Sequence, residues 1–141
     1  MWIVSWGEQD SWERGLVEII NPMGEDTAAL RTILTPSMLE VLGRNFSRNV
    51  ENVRAYEIGI TFLKNYVDEN ALPIESRNLC IGAYGEGEDF FTLKGMIVAL
   101  LEKLGIKDVE FVAEKEYKVY HPGRCAKLFV KDPETNEDVE L

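Results

Sequence analysis

Apolar and polar positions change rhythm several times along the chain, and each rhythm predicts an element. Val17-Glu18-Ile19-Ile20 alternates until Asn21-Pro22 halts it, which predicts a strand running into a turn and then a polar loop, Gly24-Glu25-Asp26-Thr27. From Thr35 the spacing becomes helical: Met38, Leu39, Val41, Leu42, Asn45 and Phe46 recur over a segment ending near Arg48, with Thr35 as its cap and Pro36 in its first turn. Val53 to Leu63 returns to strict alternation, with Tyr56, Ile58, Ile60 and Phe62 on one face and Ala55, Glu57, Gly59 and Thr61 on the other. The small residues on that second face leave it open to a close neighbour.

Leu79 to Tyr84 predicts a further strand, its far end loosened by Gly82, Gly85 and Gly87. Phe90 to Leu104 is the strongest helix, with Phe90, Leu93, Ile97, Leu100, Leu101 and Leu104 on one face, Asp89 to cap its start and Gly105 to end it. Val109–Val112 and Lys127–Val130 read as strands, and Asp132-Pro133-Glu134-Thr135-Asn136 as a turn into Asp138–Leu141. Strands in series, broken by two helices without regular alternation, predict an α+β class: an antiparallel sheet flanked by helices, in a single domain over residues 1–141.

Composition narrows the function. The chain has 141 residues, 45% of them hydrophobic, which suits one domain with a real core. Its charge, 15 − 25 = −10, opposes a direct nucleic-acid surface, because phosphate binding draws its affinity from Lys and Arg. The longest apolar runs, such as Met96–Leu101, fall far short of the roughly 20 residues that cross a bilayer. The first residues lack the basic start and cleavage site of a secretory signal, so no membrane partner and a cytoplasmic location are expected. Cys80 and Cys125 sit in apolar stretches without metal-ligand spacing, and packing is their expected role.

Four stretches in fixed order carry a family likeness. They are Asn21-Pro22-Met23-Gly24-Glu25-Asp26 with Leu30-Arg31-Thr32, Arg54-Ala55-Tyr56-Glu57-Ile58-Gly59, Asp89-Phe90-Phe91-Thr92-Leu93-Lys94-Gly95, and His121-Pro122-Gly123-Arg124-Cys125-Ala126. Together they resemble the NPLSE, LRTSLLPGLL, RLFEIG, DFFDLKG and HPGRSA segments of the bacterial phenylalanyl-tRNA synthetase beta subunit, over about Asn21 to Val130. Each string is short; their order and spacing make the set specific.

The resemblance implies a class II aminoacyl-tRNA synthetase-like module, truncated at both ends, in a ligase of two alpha and two beta chains that charges tRNA with phenylalanine. In that family the alpha subunit performs the chemistry, using ATP and magnesium, and the beta module is its degenerate, architectural relative. The expected partners are therefore the alpha subunit and, through the assembled enzyme, tRNA. The resemblance implies that class II chemistry needs an arginine on the strand corresponding to Val53–Leu63 to hold the ATP α-phosphate. Here the stretch reads Glu57-Ile58-Gly59-Ile60-Thr61-Phe62, and even the arginine that many beta chains carry after the glycine is replaced by Ile60. No catalytic, cofactor-binding or metal residue is expected in this segment. Arg31, Glu57, Lys94 and Arg124 are the polar residues inside the matched motifs, and they either pair with one another or with backbone at the sheet edge, or line the contact with the alpha subunit.

Other readings of the residues are weaker. His121 with Cys125 or Ser5 has the residue types of a base and nucleophile, but His121-Pro122-Gly123 is turn chemistry. Gly82, Gly85 and Gly87 are interrupted by acids that would repel a phosphate, which leaves a mobile turn as the expectation. Glu86, Glu88 and Asp89 lack the spacing of a calcium loop and suit the positive end of a helix. The rival function is a free-standing class II synthetase-like protein that binds a small amino acid or a protein partner.

Overall fold

The computed structural model describes residues 2–5, 16–24, 27–65, 71–115, 120, 121, 123–132 and 134–141. Trp6, Trp12, Glu25, Asp26, Pro122 and Pro133, and the side chain of Ser5, lie outside the described residues. The chain forms two compact units, residues 1–86 and 87–141.

The first unit contains β1 (Trp2–Ser5), β2 (Val17–Glu18), β3 (Ala29–Leu30), α1 (Thr35–Ser47), β4 (Val53–Leu63) and β5 (Ile74–Tyr84). Strands β4 and β5 form a long antiparallel hairpin, in register from Val53↔Tyr84 to Leu63↔Ile74, and β1 pairs with the other edge of β5. Strand β5 starts five residues before the predicted Leu79. The polar run Glu75-Ser76-Arg77-Asn78 hides it from a hydrophobicity reading, yet the ladder to β4 carries its backbone hydrogen bonds through that run.

Alternation then sorts the side chains of the hairpin. Ala55, Glu57, Gly59 and Thr61 face the same way as Asn78, Cys80, Gly82 and Tyr84, and α1 packs on this side of the sheet. Leu34, Met38, Leu42, Cys80 and Tyr84 form the core, with Val53 and Ala55 against it. The expected open face is thus filled by the helix and by the segment leading into it. Gly82 belongs to this packing: a Cβ there would lie 2.8 Å from both Leu42 Cδ1 and Met38 Cγ, so the residue admits the helix to the sheet and does not loosen the strand. The flexible-backbone role falls to Gly85 and Gly87, whose φ values are +137° and +78°.

Helix α1 begins differently from the expectation. Its N-cap is Leu34, with no side-chain cap hydrogen bond, and Thr35 is the first helical residue. Leu34 is fully buried, so the chain enters this helix from the core, where burial and Pro36 near the start fix it.

The second unit contains α2 (Phe90–Lys103), β6 (Glu110–Ala113), β7 (Ala126–Lys131) and β8 (Asp138–Glu140), the strands forming a separate antiparallel sheet in the order β6-β7-β8. Asp89 caps α2 as expected, accepting a 2.8 Å bond from the Thr92 N–H. At the other end Gly105 adopts φ +82° and the Ile106 N–H donates to the Leu101 carbonyl at 2.9 Å, which closes the helix in the manner of a Schellman turn. Leu93, Ile97 and Leu101 are buried, while Leu104, placed on the same predicted face, is 65% exposed because the chain turns away there. The whole is α+β, with two helices and three small antiparallel sheets among the described residues where one sheet was expected. No helix among them is long and apolar enough to cross a membrane.

Candidate functional site

The polar centre of the first unit lies along the edge of β4 that β5 does not cover. Arg31 follows β3 directly, and its carbonyl accepts a 2.9 Å bond from the Phe62 N–H, which fixes its backbone against that edge. From there the guanidinium crosses the strand: Nη1 donates to Glu57 Oε1 at 2.6 Å and Nε to the Ile60 carbonyl at 2.9 Å. Gly59 makes the crossing possible. A Cβ on Gly59 would collide with Arg31 Nη2 and come within 3.0 Å of Glu57 Oε1 and Leu34 Cδ2. Beyond the ion pair, Asn78 Nδ2 donates to Thr61 Oγ1 at 2.6 Å, so the buried polar groups of the inner face satisfy each other.

The outer face of β4 exposes apolar side chains: Tyr56 is 74% exposed and Ile58 63%, with Ile60 beside them. Register places the exposed Arg77 opposite Ile60. Arg31, Ile58, Gly59, Ile60, Phe62 and Arg77 together line a cleft of about 550 Å³. Arg77 escaped the sequence reading because it lies in the polar half of β5; extending that strand backwards from Tyr84 and pairing it with β4 would have found it.

Residues 2–135 match the family described as the phenylalanyl tRNA synthetase beta chain CLM domain. The chain belongs to that beta-chain family. It is 42% identical over 122 residues to a phenylalanine–tRNA ligase beta subunit from Clostridium tetani, covering 86% of this chain and 15% of the relative. The corresponding subunit of Clostridium acetobutylicum is 38% identical over 124 residues, covering 88% of this chain and 15% of the relative. That of Bacillus subtilis is 35% identical over 121 residues, covering 77% and 15%. The chain thus spans about 15% of the length of the curated relatives it matches.

Of the motif residues singled out in this beta-chain domain, Arg31 and Glu57 are brought together across 26 positions of sequence. Lys94 and Arg124 lie in the second unit. Lys94 Nζ sits 4.3 Å from the centroid of the Phe111 ring, a cation–π contact between α2 and β6. Arg124 is exposed, and its backbone N–H donates to the His121 carbonyl at 2.9 Å. His121 itself accepts at Nδ1 from the Gly123 N–H, 3.1 Å, which ties the ring into the turn.

Cys125, Cys80 and Asp89 have structural surroundings. Burial pushes the Cys125 thiol above its ordinary range, the Glu114 carboxylate adds to this, and Lys127 opposes it. A thiol so placed stays protonated and is a poor nucleophile. Cys80 is buried in the core, and it and Cys125 are thiols. The Asp89 carboxyl is held below its usual range, chiefly by the Thr92 N–H and then by the Thr92 hydroxyl, which marks it as a helix cap. Among the described residues no three His, Cys, Asp or Glu side chains converge as metal ligands would.

Proposed function

We propose that this domain is a class II synthetase-like scaffold module of a phenylalanine–tRNA ligase beta subunit. It supports the alpha subunit in ATP-dependent charging of tRNA with phenylalanine and performs no adenylation itself. ATP and magnesium then belong to the assembled cytoplasmic enzyme, and tRNA is reached through it.

The observation that carries this reading is the employment of Arg31. A guanidinium that serves phosphoryl chemistry must offer free donors where charge develops. Here Nη1 and Nε are spent on Glu57 and the Ile60 carbonyl, so Arg31 works as a brace between the strand edge and the segment leading into α1. The position after Gly59, on the strand where the chemistry would require a cation, is the aliphatic Ile60. The exposed Tyr56 and Ile58, with the acidic balance of the chain, suit protein contact better than RNA contact.

Isothermal titration of the chain with ATP and with phenylalanine is expected to give no saturable heat, while co-purification with an alpha subunit is expected to succeed. Tight binding of either small molecule would overturn the scaffold reading.

A further inference from the structure

We draw no further inference here: the strongest candidate, the outer face of β4 where Tyr56, Ile58 and Ile60 are exposed beside Arg77, is an apolar sheet face, and nothing in the structure shows what covers it.

Discussion

The two helices of this domain start by opposite means. Helix α2 is announced by its own sequence: Asp89 accepts from the Thr92 N–H and hydroxyl, and the bonds are local, three residues apart. Helix α1 has no side-chain cap and begins at a leucine that is wholly buried, so its start depends on residues of β4 and β5 that lie far along the chain. A helix end can be fixed by satisfying its free N–H groups or by anchoring the segment that precedes it, and only the first leaves a short sequence signature.

If α1 is held by burial, emptying its core face should do the most damage. Leu42→Ala is expected to cost about 2–5 kcal/mol, read as a lower urea midpoint with an unchanged slope. A loss below about 1 kcal/mol would break the contrast between the helices. Gly82→Val presses the same contact from the sheet side, where a Cβ would already meet Leu42 and Met38. It should cost about 1–3 kcal/mol by overpacking, measured the same way.

The brace behind α1 is partly exposed, Arg31 to 39% and Glu57 to 30%, so solvent screening discounts it. A double-mutant cycle of Arg31→Gln and Glu57→Gln should give a coupling of about 0.5–1 kcal/mol that shrinks in high salt. Helix α2 should show the smallest effect, and it should depend on acid. The Asp89 pKa is lowered from 3.8 in the folded protein, so its contribution is present in full above that value and is lost as pH falls through the folded pKa. The protection of the Thr92 amide, judged by its exchange rate relative to the unfolded chain at the same pH, should therefore fall in acid, and Asp89→Asn should flatten that dependence.

Elements whose signals are local were legible in the sequence. Strand β4 was bounded correctly by its alternation, and α2 by Asp89 and Gly105, to within a residue at its end. Thr35 was misread as a cap because a threonine before a proline is a local signal, whereas the burial of Leu34 is a tertiary fact. The short pairs β2–β3 and β1–β5 also depend on partners: no pattern within Ala29–Leu30 or Trp2–Ser5 announces the strand it joins. The site was half visible. Motif position picked out Arg31 and Glu57, but that they meet, and that Gly59 makes room for them, follows only from the fold. Arg77 stayed hidden until β5 had a register.

The β4–β5 hairpin gives the domain one further property. Each arm is eleven residues long, with Ala55, Gly59, Thr61, Cys80 and Gly82 turned to the helix side and Tyr56, Ile58, Ile60, Leu79 and Ile81 to the other. Deleting a single amino acid from the middle of either arm would exchange the two sides beyond the lesion, sending isoleucines toward the helix and glycines to water. Lineages carrying such a hairpin should therefore accumulate substitutions along it while confining changes of length to its connections.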